Sequence, residues 1–200
     1  MPHPRLPRCG KIGAVTDGPT SPRVAPLELD ELTDEQRELL SAGGELRNLH
    51  IFRTLVRHPR LYRRWSPFGG FLLQRSSLSP RDRELVILRT AYRCESAYEW
   101  GQHVRIGGDA GLTNDEIRRI ASGPAAPGWS SEEATLLRAV DELHDEHRLS
   151  DDTWSRLRGR FDDATLIELM MLSGHYALLA GVLNSLGVQP EGPLPALGEA

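Results

Sequence analysis

The chain has 200 residues and a mass of 22.3 kDa, with a formal net charge of -4 at pH 7 and an isoelectric point near 6.0. This length suits one domain with its own hydrophobic core, and two independent domains are not expected. The arginines are scattered among acidic residues, which argues against a surface that neutralises nucleic-acid phosphates, so no nucleic-acid partner is predicted.

Prolines and glycines dominate both ends of the chain. Residues 1–28 hold few large apolar side chains that could offset the entropy of ordering, so they are interpreted as a flexible N-terminal arm. Residues 189–200 have the same character and predict a flexible tail. The segment between them, residues 29–188, is the predicted folded domain.

Other features predict a soluble cytoplasmic protein without a membrane partner. The N-terminus is too broken by proline for a signal peptide, and no apolar stretch is judged to approach the roughly 20 residues that span a bilayer. Cys9 and Cys94 lie far apart and form no disulfide framework, so both thiols are expected to be reduced.

Helix start signals recur between the two ends. Three pairs have the spacing of a capping box, in which a hydroxyl and a later Glu or Gln satisfy free amides of the first turn: Thr33 with Gln36, Thr113 with Glu116, and Ser130 with Glu133. Ser79 before Pro80 gives a further start. Strand patterns are scarce, so the predicted fold class is all-α.

The segment that starts at Ser130 shows one apolar stripe on an otherwise charged helix. Its members recur at helical spacing: Leu136, Val140, Leu143 and His147. The sequence "HDEH", residues 144–147, could suggest a metal site, but it offers no evident third ligand. Packing or a solvated face is therefore favoured, and no metal site is predicted.

A long apolar helix is expected from Asp163 to Val188. Because most of its faces are hydrophobic, it must be nearly surrounded by protein, either as a central helix or as an oligomer contact. His175 lies inside it, next to Tyr176. This histidine is interpreted as either a satisfied core residue or a group in a substrate pocket.

The stretch "RELVILRTAYRCESAYEWGQH", residues 83–103, carries the main candidate site. Glu99 and His103 are four residues apart, so on one helix they share a face, and a carboxylate beside an imidazole is what a general acid or base needs near neutral pH. Glu84 lies in an apolar run, where a lone charge is costly unless it is paired. Tyr98 and Trp100 are candidates for a pocket wall, although core packing explains them equally well.

A convergence of Glu84 with Glu99 and His103 requires a turn. One straight helix would separate Glu84 from Glu99 by roughly 22 Å, which is too far for contact. The predicted break is "RCES", residues 93–96, with Ser96 capping the second helix.

Two arginines are candidates for holding a substrate. Arg53 and Arg89 lie in apolar helical segments, where a guanidinium group needs an anion. That anion is expected to be Glu84 or a substrate carboxylate.

These motifs resemble a known family. The stretch "SAYEWGQH", preceded by Glu84 and followed by "GLTNDEIRRI", is similar to the carboxymuconolactone decarboxylase family, which shares an all-helical fold with alkylhydroperoxidase D (AhpD). "RVAPLELDELTDEQRELL" resembles the opening of that family, "NLHIFRTLVRHPRLYRRW" its second segment, and "HYALLAGVLNSLGV" its closing helix. The resemblance covers roughly residues 23–190 and implies an AhpD-like helical bundle, expected to be oligomeric.

The chain departs from the alkylhydroperoxidase branch of that family. There a Glu is followed by a Cys-x-x-Cys pair and then a His; counting back from His103, the thiol positions hold Ser96 and Glu99, and the Glu falls on Glu84. A serine and a carboxylate cannot form a disulfide, so thiol-dependent peroxide reduction is not expected. Cys94 lies two residues before the first thiol position and is interpreted more readily as a packed residue than as a redox group.

The resemblance implies a decarboxylase that works without metal or organic cofactor. Its substrate is expected to be a small carboxylated lactone or related acid, with His103 delivering a proton, Glu99 setting the protonation of the imidazole, and Glu84 orienting or relaying. Substrate contacts are assigned to Tyr98, Trp100, Ser96, Arg53, Arg89 and His175. The alternatives are a peroxidase-related protein that lacks the Cys pair and a non-catalytic oligomer that binds small molecules. A homo-oligomer is expected: a dimer, trimer or hexamer.

Overall fold

A computed structural model of the chain describes residues 21–200. All regular secondary structure within these residues is helical. A short 3-10 helix spans Gly44–Asn48. The α-helices are α1 Asp34–Ser41, α2 His50–Leu55, α3 Pro59–Gln74, α4 Pro80–Arg93, α5 Ala97–Asp109, α6 Asn114–Ser122, α7 Ser131–Glu146, α8 Asp151–Arg158 and α9 Asp163–Leu186. The all-α prediction is confirmed. Most of the predicted N-terminal arm, residues 1–20, lies outside the described residues.

The predicted capping boxes are present. Thr33, Thr113 and Ser130 each accept a hydrogen bond from the backbone amide three residues later, and the Gln or Glu at that position bonds back to the cap amide. Ser79 accepts from the amide of Asp82 at the start of α4. These starts could be read from the sequence because each depends on groups within one turn.

Helix α4 is the centre of the bundle. It packs against α5, α7 and α9, and most of its residues are buried. One core cluster joins α4 to the later helices, with Val86 and Ile87 against Leu136, Leu166 and their neighbours. A second core cluster joins α4 to α5 and α6, and its members include Leu85, Leu88, Trp100, Ile117 and Ile120. Polar groups on α4 are therefore surrounded by protein.

Helix α9 is long and apolar, as predicted. Its 24 residues have a mean hydropathy of 1.6 over an 18-residue window, and 56% of that window is buried inside the bundle. By length and composition alone it could cross a bilayer, so the expectation that no apolar stretch approaches that length is wrong. Its burial is typical of the core helix of a soluble protein. Gly187, with φ of 65°, ends the helix in the left-handed conformation that glycine tolerates best.

The C-terminal segment lies against the bundle, in contrast to the flexible tail expected from its composition. The Glu191 carboxylate accepts hydrogen bonds from the His50 amide, from the Tyr98 hydroxyl at 2.7 Å and from Gln102 Nε2 at 2.8 Å. Leu194 covers Gly101, where a Cβ atom would come within 2.6 Å of it. Composition missed these contacts because the partners are distant in sequence.

The expected stripe of α7 stops one residue early. The helix ends at Glu146, and His147 is an exposed cap residue in the left-handed conformation with φ of 57°. His147 therefore does not continue the row of Leu136, Val140 and Leu143.

Candidate active site

The predicted turn separates α4 from α5. Helix α4 ends at Arg93, and Glu95 adopts φ of 52°, which few non-glycine residues do. The Ser96 amide donates to the carbonyl of Ala91 at 2.9 Å, and Asn184 of α9 donates to the carbonyl of Cys94 at 2.9 Å. The turn thus lets α5 fold back along α4.

Ser96 occupies the cap position of α5 but does not act as predicted. Its side chain makes no capping hydrogen bond. Its Oγ atom is fully buried and has no hydrogen-bond partner among the described residues. A buried hydroxyl without a partner is unfavourable by about 1–3 kcal/mol, so the group is available to a bound molecule.

Glu84 and His103 form a buried pair. His103 Nδ1 lies 2.7 Å from Glu84 Oε2, and Arg83 Nε donates to Glu84 Oε1 at 2.8 Å. Burial opposes ionisation of Glu84, but His103 and Arg83 more than offset it and hold the pKa of this carboxyl below its ordinary value. An ionised Glu84 accepts a hydrogen bond from Nδ1–H, which orients the ring and leaves Nε2 as the atom that can exchange a proton.

Glu99 lies one turn before His103 and is in a different state from Glu84. Its side chain is buried, with the residue 3% exposed, and neither carboxyl oxygen has a hydrogen-bond partner among the described residues. Burial raises its pKa well above the ordinary value; Ser96 opposes this only in part, being outside hydrogen-bonding geometry with either oxygen. Burial therefore favours the neutral form of Glu99, and the carboxylate that contacts His103 is Glu84.

Tyr176 of α9 closes this region. Its ring packs edge-on against the His103 ring with centroids 5.1 Å apart. Burial, together with the nearby charge of Glu84, raises the pKa of its hydroxyl well above the ordinary value. Tyr176 stays a neutral phenol beside the two acids. The sequence analysis named Tyr176 only as the neighbour of His175. Its contact with His103 was not predicted, because it joins segments that are distant in the chain.

Tyr98 and Trp100 do not wall this site. The Tyr98 hydroxyl accepts from the Ile51 amide at 3.3 Å and donates to Glu191, and its ring packs in the cluster around Leu179. Trp100 is fully buried in the core and its Nε1 donates to the carbonyl of Glu199 at 2.8 Å. Both side chains anchor the C-terminal segment.

Arg53 and Arg89 are bound by acids other than Glu84. Arg89 makes two hydrogen bonds to Asp141, at 2.8 and 2.9 Å, and also donates to the carbonyl of Ile120. Arg53 pairs with Glu28 at 2.7 Å. The sequence showed that each guanidinium needed an anion but not which one, since both partners are more than twenty residues away. Arg83, adjacent to Glu84, is the arginine that the sequence analysis missed.

His175 is buried among aromatic rings. It stacks on Trp65 at 6.0 Å and contacts Phe68 edge-on at 5.2 Å, and burial lowers its pKa. Its ring lies 5.5 Å from the Tyr176 ring, so it supports the residue that packs on His103. The structure places it in the aromatic packing beside the site.

Cys94 and the "HDEH" segment meet in the structure. Cys94 Sγ lies 3.8 Å from His144 Nδ1. Burial is the main cause that raises the pKa of the Cys94 thiol to about 11, so little thiolate exists at neutral pH. Within residues 21–200, no group of three or more His, Cys, Asp or Glu side chains is placed to hold a metal ion.

Comparisons with known proteins agree with this architecture. Residues 59–142 match the model of the carboxymuconolactone decarboxylase family. The match spans less than half of the chain and contains the whole of the Glu84–His103 region. Over these residues the resemblance inferred from the sequence is confirmed.

Solved structures share the AhpD-like fold. An uncharacterised peroxidase-related protein from Ralstonia eutropha JMP134, with an alkylhydroperoxidase AhpD core, superposes with a TM-score of 0.72 at 16% identity, covering 84% of this chain and 93% of its own. A peroxidase-related protein from Silicibacter sp. TM1040 gives 0.72 at 14% identity, covering 90% and 96%. A variant of the debrominase Bmp8 bound to 2,3,4-tribromopyrrole gives 0.72 at 11% identity, covering 88% and 95%. None of the curated proteins compared with the chain matches it.

Proposed function

We propose that the chain is an acid–base enzyme of the carboxymuconolactone decarboxylase type that removes carbon dioxide from a small carboxylated lactone or related acid. The observation that carries the proposal is the 2.7 Å contact of His103 with Glu84, buried beside the unpartnered acid Glu99. Paired groups whose surroundings push their pKa values apart are typical of acid–base sites. The reaction is proposed to need no metal or organic cofactor.

The proposed chemistry assigns a role to each group. Decarboxylation breaks a carbon–carbon bond, carbon dioxide leaves, and the electron pair stays on the substrate as a dienolate. Glu99, held protonated by burial, donates its proton to the dienolate carbon. His103, oriented by Glu84, returns a proton to Glu99 from solvent, and the Ser96 hydroxyl is free to bind a substrate oxygen. The resemblance implied instead that His103 delivers the proton and that Glu99 sets the protonation of the imidazole.

The proposal is tested by turnover of a panel of carboxylated lactones, followed by release of carbon dioxide. Glu99→Gln and His103→Asn are each expected to lower kcat at least about 100-fold, because general acid catalysis contributes that much. Glu95→Gln, an exposed acid in the same turn, is the matched control and retains the wild-type rate. A wild-type rate for Glu99→Gln would exclude Glu99 as the donor, and no turnover of any member would leave the non-catalytic binding protein as the better reading.

The main alternative is a peroxidase-related activity, which the names of two structural neighbours suggest. Ser96 and Glu99 at the thiol positions speak against it, as does the raised pKa of the Cys94 thiol. The fold-level likeness to a debrominase adds brominated pyrroles to the panel. An organic hydroperoxide and 2,3,4-tribromopyrrole are therefore tested beside the lactones.

Self-association is proposed to bury part of α9. Three large apolar side chains on this helix are exposed at helical spacing: Ile167 at 65%, Met171 at 49% and Leu178 at 62%. Exposed apolar side chains along one helix are more typical of an interface than of open solvent. Light scattering is expected to show a dimer, trimer or hexamer that Leu178→Glu dissociates. Trp154→Glu, at an exposed aromatic of α8, is the control, and a wild-type monomer at micromolar concentration would contradict the proposal.

A further inference from the structure

A cavity of about 240 Å³ lies where α4, α7 and α9 meet. Neither Glu84, Glu99 nor His103 lines it. Its wall is largely apolar and is formed by the following side chains: Val140, Leu143, Met170 and Ala177. Ligand pockets for drug-sized molecules usually exceed about 300 Å³, so this cavity suits a compound of roughly one ring. The flexible Met170 can adapt the wall to its shape.

Two buried hydroxyl groups lie in the cavity wall. Thr90 Oγ1 donates to the carbonyl of Val86 at 2.8 Å, so its proton is already used and it can only accept further hydrogen bonds. Ser173 is 4% exposed, and its contact with Thr90 is 3.5 Å long, beyond the usual range for two hydroxyls. The Ser173 hydroxyl therefore keeps a proton that it can donate to a molecule in the cavity.

The cavity lining contains no Asp, Glu, Lys or Arg side chain. Its remaining polar side chains are two imidazoles, His144 and His147. Burial and the neighbouring Arg93 lower the pKa of His144, which keeps it neutral. The acids of α7 that face this region are already paired, since Asp141 and Asp145 both bind Arg93.

These features select the charge of a ligand. An anion would enter a largely apolar cavity with no Lys or Arg side chain in its lining, and a cation would find no carboxylate there. Either ion would lose its hydration without a partner, which is costly. A neutral ring with one hydroxyl or carbonyl loses little, because the ring contacts the aliphatic wall and the polar group meets Ser173.

We propose that this cavity is a binding site for a small uncharged ring compound that carries a single hydroxyl or carbonyl group, hydrogen-bonded to Ser173. The site is separate from the proposed acid–base site, and binding does not depend on turnover. Its occupancy can therefore be measured whether or not the chain proves to be a decarboxylase.

The test compares phenol with benzoate and benzylamine, which have the same ring but opposite charges at pH 7. Each is titrated into the full chain, followed by the NMR signals of the His144 and His147 rings. Phenol is expected to shift the NMR signals of both rings up to a plateau. Benzoate and benzylamine are expected to bind at least about ten-fold more weakly, because their charge must be desolvated. Phenol that does not saturate, or benzoate or benzylamine that binds as tightly as phenol, would overturn the proposal.

Two variants locate the site. Ala177→Leu fills the cavity and is expected to weaken phenol binding at least about ten-fold, whereas Ala125→Leu, in an exposed loop, leaves the affinity unchanged. Ser173→Ala removes the donor with little change in volume and should weaken phenol at least about three-fold without abolishing it. Circular dichroism verifies the fold of each variant. If phenol binds both Ala177→Leu and Ser173→Ala with wild-type affinity, the ligand lies elsewhere and the assignment is wrong.

Discussion

The same isosteric change at the two buried acids should alter stability with opposite signs. Glu99→Gln replaces a carboxyl that burial holds protonated, and Glu84→Gln replaces a carboxylate that His103 and Arg83 hold ionised. Gln has nearly the shape of Glu and does not titrate. Comparing these two variants therefore separates the effect of ionisation on stability from the effect of packing.

For Glu99 the magnitude follows from proton linkage. Its pKa is 4.5 in the unfolded chain and well above this in the folded one, so the stability associated with its protonation is complete below pH 4.5 and is lost as the pH rises to the folded pKa. In this window wild-type stability falls by about 1.4 kcal/mol per pH unit relative to a group that does not titrate. Between pH 4.5 and the folded pKa of Glu99, the free energy of unfolding of Glu99→Gln should therefore rise by that amount per pH unit relative to the wild type.

For Glu84 the sign is reversed. Its folded pKa is lowered, so its contribution is present above the unfolded value of 4.5 and is lost as the pH falls through the folded pKa. At pH 7, Glu84→Gln leaves His103 and Arg83 without their carboxylate. Breaking a buried pair in this way costs about 3 kcal/mol.

The assay is urea unfolding followed by tryptophan fluorescence at pH 5, 6, 7 and 8. Glu95→Gln, at an exposed position, is the control and should follow the wild type at every pH. If the advantage of Glu99→Gln does not change with pH, Glu99 is not protonated in the folded chain, and a stabilising Glu84→Gln would show that the pair with His103 is not favourable.

Three further outcomes follow from the structure. Arg89→Gln should destabilise the chain by about 3 kcal/mol in urea unfolding, because Asp141 loses its partner; an effect below about 1 kcal/mol would show that this pair is not structural. Gly101→Val should cost about 1–3 kcal/mol and speed amide exchange in residues 191–199, since its Cβ would meet Leu194 at 2.6 Å; unchanged exchange there would contradict the packing of the tail. Organic hydroperoxide consumption should stay at background for the wild type and Cys94→Ser alike, and an enzymatic rate abolished by Cys94→Ser would refute the decarboxylase reading.

Much of the helical framework could be predicted from the sequence because the signals are local. Thr33, Thr113 and Ser130 each begin a helix through contacts within one turn. The turn between α4 and α5 was likewise predicted, since Glu84 and His103 could meet only if the chain folded back. Ser96 shows the limit of this reasoning, because a residue can occupy a cap position while its hydroxyl points elsewhere.

The sequence alone predicts which groups need partners: Glu84 and Arg89 in an apolar helix, and Glu99 one turn from His103. The identity of those partners depends on the three-dimensional packing. In the structure Arg89 pairs with Asp141 and Glu84 with His103, whereas Glu99 has no hydrogen-bond partner within residues 21–200. It also placed the tail on α5 through Glu191. The physical reason is that burial and pairing depend on segments far apart in the chain, and these two effects decide which acid keeps its proton.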